Sequence, residues 1–492
     1  MRSSASSNGE RLWVLNQKIW GNPELAFHEK IAHDAICDFF DGLQKENLDV
    51  TVSRAQYGME TCFLIEGKIL GDLAHGSPRT VVFNAEYDAL PRVGHACGHN
   101  LIASASAAAF IGCWTALKES GKPGIVKLLG TPAEEGGGGK LKLIEQGAYH
   151  SVNACLMAHP GALVSDAHLK AVSITRSLAS QKLSVTFQGQ TAHAGLKPWD
   201  GRNALDALVA SHISIALLRQ QFKPSIRVNG IVKPEEDPRK RGAANMIPDS
   251  MRAEYSIRAE TKEDLEDVRQ KVTTCFKSGA QAIGCKARAT ACKLPECDAT
   301  GCEPSHYNNR KPYLDLRANK VMCGLFTKYM NDLGAKTVDR LAEITDDPGA
   351  ATDQGNVSIE CPAMQAAFFI DSDGAFNHQK PFADAAGTRD AFDRAMACGK
   401  GLAAAGYRVL TDDQVAADID TEFQQMVAVL KERTAARSSR HEEKQPGHQP
   451  ATPSSQQALH DSLVPLLLDV TLGDPGAHAA ALSSLGGGAC IV

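Results

Sequence analysis

The sequence predicts an α/β protein: a main sheet-and-helix domain with a ferredoxin-like α+β module inserted in it. Three observations carry this. From Arg11 to about Arg176, apolar strand-like runs alternate with helical stretches, the signature of an α/β layer architecture. Near Ser180 the pattern changes to a β-α-β-β-α-β order that runs to about residue 294. From about Pro295 the first pattern returns.

In the first part, "RTVVFNAEYDAL" reads as a buried strand entering a loop, and "GIVKLLGTPAEEGGGG" as another. Between them, "IASASAAAFIGCWTALKE" reads as a helix whose small residues permit close packing on a sheet. In the insertion, "QKLSVTFQG" alternates as a half-exposed strand should, and "NALDALVASHISIALLRQQF" has helical periodicity. "PSIRVNGIV", "SMRAEYSIRAE", the helix "TKEDLEDVRQKVTTCFKSGAQAIG" and "KARATACKL" complete the module. Beyond it, "PAMQAAFFI" reads as a buried strand and "AGTRDAFDRAMACGKGLAAAGYRVL" as a closing helix. The expected domains are therefore 11–180 with 295–432, the insertion 181–294, and an extension 433–492. The extension's "RTAARSSRHEEKQPGHQPATPSSQQ" is polar with prolines and reads as disorder, and "ALHDSLVPLLLDVTL" could form a short amphipathic helix.

Composition narrows the function. The 492 residues are 43% hydrophobic and 22% charged, ample for a core. A net charge of -5 argues against nucleic acid as a partner, since phosphate binding needs a clustered basic face. The first twenty residues lack a signal-peptide core, and no apolar run of membrane-spanning length stands out, so no membrane association is expected. Fourteen scattered cysteines fit reduced thiols in a cytoplasmic enzyme better than a disulfide scaffold.

Chemistry concentrates in short motifs. "EYDALPRVGHACGHN" places Cys97 and His99 two residues apart in a turn-like stretch, where thiolate and imidazole can reach one point. In "TPAEEGGGGK", the adjacent side chains of Glu134 and Glu135 diverge. One carboxylate can hold a metal while its neighbour faces a water that the metal activates. A glutamate pair before glycines is equally what a solvated loop looks like. His159 in "CLMAHPG" and His378 in "GAFNHQKPFADAAGT" are each unremarkable alone. Together Cys97, His99, Glu135, His159 and His378 offer N, O and S donors, which suit zinc first and also manganese. One thiolate among such donors could bridge two ions. A structural zinc site would more commonly pair cysteines in C-x-x-C spacing, which is absent.

Six motifs in order, "EYDALPRVGHACGHNLIA", "GTPAEEGGGG", "MAHPG", "GQTAHAGLKPWDGRNALDA", "NMIPDSMRAEYSIRAE" and "FNHQKPF", resemble the aminoacylase/carboxypeptidase family of dinuclear metallohydrolases. The resemblance covers roughly Arg11 to Leu410 and is most similar to the aminoacylase-1-like dipeptidases. It implies two divalent ions per chain on Cys97, His99, Glu135, His159 and His378, with Glu134 as general base. It implies that His193 in "TAHAG" reaches the partner subunit's active site, and that Asn245 and Arg258 hold a substrate carboxylate. The inserted module would then be a lid and dimerisation domain, and the protein a homodimer. The implied activity is hydrolysis of the amide of a dipeptide or N-acyl amino acid. Alternatives are an amidohydrolase with an apolar acyl pocket and a catalytically silent scaffold. Many family members carry H-x-D where this chain has Glu86-Tyr87-Asp88, so Asp88 is expected to buttress rather than ligate. His95 is expected to support the ligands from behind or to be merely structural, and "CKLPECDATGCEPSHYNNRKPY" fits no standard zinc spacing.

Overall fold

Four strands rich in Val, Leu, Phe and Ala, Gly124–Gly130, Thr80–Ala85, Ala154–Ala162 and Ala363–Ile370, lie side by side and parallel in that order. Every residue of Thr80–Ala85 is buried, as a strand covered on both faces requires. The computed structural model describes residues 2–71, 77–163, 166, 168–233, 242–290, 311–340 and 350–443. Most of the cysteine-containing stretch and the extension beyond Glu443 lie outside the described residues.

The four parallel strands are the centre of an eight-stranded sheet. Phe63–Ile69 and Thr51–Arg54 extend one edge in antiparallel fashion, and Ala171–Val172 and Thr337–Val338 extend the other. The expected helix forms as His99–Ser120 and packs on Arg389–Thr411. Small residues set their separation: a Cβ on Gly399 would fall 2.7 Å from the Ala105 carbonyl oxygen. His99–Ser120 is also long and apolar enough to cross a membrane, which the sequence reading overlooked; 72% of its apolar window is buried in this core.

The inserted module is present with the expected β-α-β-β-α-β order. Its strands Ala179–Gln188, Arg227–Lys233, Ser250–Ala259 and Lys286–Thr290 form one antiparallel sheet, with Arg227–Lys233 at one edge. Alternate residues Leu183, Val185 and Phe187 point inward, the period-two burial of a sheet covered on one face. The helices Ala204–Leu217 and Lys262–Ala282 supply that cover, and each begins at a side-chain cap, Asn203 and Thr261. The other face of Ala204–Leu217 leaves Leu205, Val209, Ile213 and Leu217 exposed at four-residue spacing. Asp413–Glu443 is the last described helix, and its final turns fall in the segment expected to be disordered.

Candidate active site

The parallel strands place their carboxyl ends on one side, where open α/β sheets put ligand sites. Thr80–Ala85 leads into Glu86 and Asp88, then the loop carrying Cys97, and His99 opens the following helix. Gly124–Gly130 leads to Glu134 and Glu135, His159 lies in the carboxyl-terminal half of Ala154–Ala162, and Ala363–Ile370 precedes His378. All six motif residues meet there. Cys97, His99 and His159 each offer a donor atom within 4.8 Å of the others, and so do Cys97, Glu135 and His378. Cys97 belongs to both groups. Its Sγ lies 3.4 Å from His159 Nε2.

Close backbone approach makes this possible. Gly98 has φ +76°, and a Cβ there would meet Pro160 Cγ at 2.5 Å. Any other residue would push the cysteine loop off the His159 strand. Ala133 and His378 hold positive φ without being glycine, at 63° and 72°. Such strain persists only where the surroundings over-determine it. Glu29 Oε1 accepts from Ala133 N at 2.9 Å, and His378 N donates to the Ala96 carbonyl at 2.8 Å.

Each donor is aimed by a neighbour. Asp88 Oδ1 accepts from His99 Nδ1 at 2.9 Å, and its Oδ2 accepts from Glu135 N at 2.9 Å. This supports the buttressing role and leaves His99 Nε2 facing the cluster. His159 Nδ1 donates to the Pro160 carbonyl at 2.8 Å, again leaving Nε2 toward Cys97. His95 instead bonds the Ile19 carbonyl at 3.1 Å from a buried position, a structural role.

A metal fits this set. His99 Nε2 and Glu135 Oε1 are buried and have no hydrogen-bond partner among the described residues. They lie 3.9 Å apart, and His378 Nε2 is 3.2 Å from Glu135 Oε1. Converging acceptors without donors call for a cation. Burial opposes the charge of Glu135, but the imidazoles of His378 and His99 close beside it win and hold its carboxyl down at about 2. Burial, then the charges of Glu86, Glu135 and Asp353, pushes Glu134 well above the usual carboxylate range. Bound cations act on such groups in the opposite sense.

The site opens into a cavity of about 540 Å³ lined by Cys97, Glu134, Glu135, His159, His378 and, from the inserted sheet, Arg258. His193 and Asn245 do not line it. They sit together on an exposed edge, where His193 pairs with Met246 and Ala194 N donates to the Asn245 carbonyl at 2.9 Å. His193 Nδ1 accepts from the backbone N–H groups of Gly195 and Leu196 at 3.1 Å each. The ring's Nε2–H therefore points outward as a donor. Sequence reasoning passed over Lys140 and Asp353 and gave Glu86 no role; the three form a buried ion cluster behind Glu134. It also passed over Glu29. Neither set has a spacing signal, because their partners are distant in the chain.

Residues 176–283 match the peptidase dimerisation domain. The Xaa-Arg dipeptidase of Mus musculus is 34% identical over 418 residues, covering 84% of this chain and 89% of that protein. The chain belongs to the aminoacylase/carboxypeptidase family of dinuclear metallohydrolases. The Homo sapiens Xaa-Arg dipeptidase is 32% identical over 424 residues, with the same 84% and 89% coverage. One polypeptide of the Escherichia coli p-aminobenzoyl-glutamate hydrolase is 27% identical over 292 residues, 55% of each chain. The fold is shared with an aminohydrolase from methicillin-resistant Staphylococcus aureus, at TM-score 0.61 and 17% identity over 82% of this chain and 97% of that one. As a member of this family the chain is a metal-dependent hydrolase of amide or peptide bonds.

Proposed function

We propose that this protein cleaves the amide of a dipeptide or N-acyl amino acid bearing a free carboxylate, with Glu134 as general base. The observation that carries the residue roles is the convergence of Cys97, His99, Glu135, His159 and His378 as two donor groups sharing one thiolate. Two ions held there, zinc or manganese by donor type, would polarise the amide carbonyl and acidify a water. Glu134, beside that donor set, takes the proton from the water and delivers one to the leaving amine. Arg258 lines the cavity and anchors the substrate carboxylate with its planar donor fork. The sequences of the Xaa-Arg dipeptidases support the dipeptide reading.

The catalytic unit is a homodimer through the inserted domain. Three features support this: the stripe Leu205, Val209, Ile213 and Leu217, the sheet-edge strand Arg227–Lys233, and the outward Nε2 of His193. A second copy covers the apolar stripe and receives His193 and Asn245 at its own site, where His193 donates to the oxyanion. All ten described cysteines are buried thiols, the condition of the cytoplasm.

The first test is Glu134→Ala. Metal content should stay near two ions per chain while kcat falls by roughly 10²–10⁴-fold, the contribution of a positioned base. Substantial residual turnover with full metal content would reject the base assignment.

A further inference from the structure

Glu86 has no role in the chemistry above, yet it lies beside His99 in unusual company. Glu86, Lys140 and Asp353 all have fully buried side chains. Lys140 Nζ donates to Glu86 Oε1 at 2.5 Å and to Asp353 Oδ1 at 2.6 Å, and Lys140 N donates to Asp353 Oδ2 at 3.0 Å. One cation thus serves two carboxylates, a formal surplus of one negative charge with no access to water. Buried charge on this scale is tolerated only when something else compensates it.

The surplus faces one direction. Lys140 engages both oxygens of Asp353, whereas Glu86 Oε2 has no hydrogen-bond partner among the described residues. That oxygen lies 3.5 Å from His99 Nε2, which also lacks a partner. With Nδ1 committed to Asp88, Nε2 is the ring atom that lies between the carboxylates of Glu86 and Glu135. Glu134 closes the group: it, Glu86 and His99 each offer an atom within 4.8 Å of the others.

We infer that Glu86 Oε2 is a further ligand of the divalent cation held by His99, and that Lys140 and Asp353 are positioning residues that fix its other oxygen. This rests on the two-ion reading above. An added carboxylate shifts that site toward oxygen donors and higher coordination, which suits manganese better than a four-coordinate zinc.

The test is Glu86→Gln in the full chain. Glutamine keeps an acceptor for Lys140 and leaves Lys140 with Asp353 as a formally neutral pair, so the fold should survive; thermal unfolding checks this. Metal-free protein is titrated with Zn²⁺ and with Mn²⁺ against a chromophoric chelator, and the visible spectrum of the Co²⁺-substituted protein is recorded. In wild type two ions should bind. In Glu86→Gln one ion should weaken by at least ~10-fold, the scale of a lost metal-site partner, and the cobalt d–d absorption should intensify as coordination number drops. Should the glutamine variant unfold, Glu86→Asp keeps the charge but withdraws the oxygen, and the same two changes are expected. Wild-type affinity in a folded variant overturns the assignment. Weaker binding with an unchanged cobalt spectrum also overturns it, because Glu86 would then act from behind the ligands. A wild type that takes up no ion removes the two-ion reading, and this assignment with it.

Discussion

The strand ends of the main sheet and the exposed edge of the inserted module, to which the proposed function gives different halves of the chemistry, are built differently. At the strand ends, Asp88 accepts two hydrogen bonds and Lys140 grips two carboxylates, and the backbone at Ala133 and His378 is held in strained conformations. At the module's edge, His193 rests on a two-residue ladder and two bonds to its own turn, with Leu196 and Trp199 exposed beside it at 71% and 75%. One half is preorganised within a single chain. The other has a fixed tautomer and no target within its own cavity, which is what a residue acting on a second copy would show.

That contrast can be broken directly. His193→Ala should cost roughly 10²–10³-fold in kcat, the cost of losing one oxyanion donor. Mixing it with Glu134→Ala and allowing subunits to exchange should restore about a quarter of wild-type activity, since half of randomly mixed dimers hold one intact site. If His193 acts within its own chain, no mixture recovers. Asp88→Asn should weaken metal binding by ~10–100-fold, because one amide cannot accept from both His99 Nδ1 and Glu135 N; equilibrium dialysis measures it. The same technique should show His193→Ala binding metal normally.

A smaller effect is expected from Glu29. Burial first, then the charge of Asp88, raises its carboxyl from 4.5 to about 7. Because the folded value lies above the unfolded one, the native state binds more protons between those values. Stability therefore falls as pH rises from about 4.5 through 7, by a few kcal/mol in order of magnitude. Glu29→Gln keeps the acceptor for Ala133 N and should flatten this slope in denaturant melts at pH 5, 6 and 8. An unchanged slope would show that other groups set it.

The architecture and the meeting of Cys97, His99, Glu135, His159 and His378 were legible because each donor sits in a motif at the end of an apolar run. Strand ends in a parallel sheet bring such motifs together whatever their separation in sequence. The lysine of "GGGGK" gave no warning of burial. Its partners Glu86 and Asp353 lie 54 and 213 residues away, and a lysine beside glycines looks like a solvated tip. Glu29 was silent for the same reason: its partner Ala133 is 104 residues on. The apolar stripe of Ala204–Leu217 was read only as helical period, since periodicity alone does not say which face meets its own core.

His378 has a consequence for synthesis. The strand before it, Ala363–Ile370, pairs along its length with Ala154–Ala162, across the whole inserted module. A growing chain therefore displays Cys97, His99, Glu135 and His159 well before the last donor leaves the ribosome. The module, whose strands and helices are contiguous, can close first, whereas the central sheet waits for its fourth parallel strand. A chain stopped before residue 363 would lack both that fourth strand and His378, and the loops of Cys97, His99, Glu135 and His159 would stand without the strand that closes the sheet beside them.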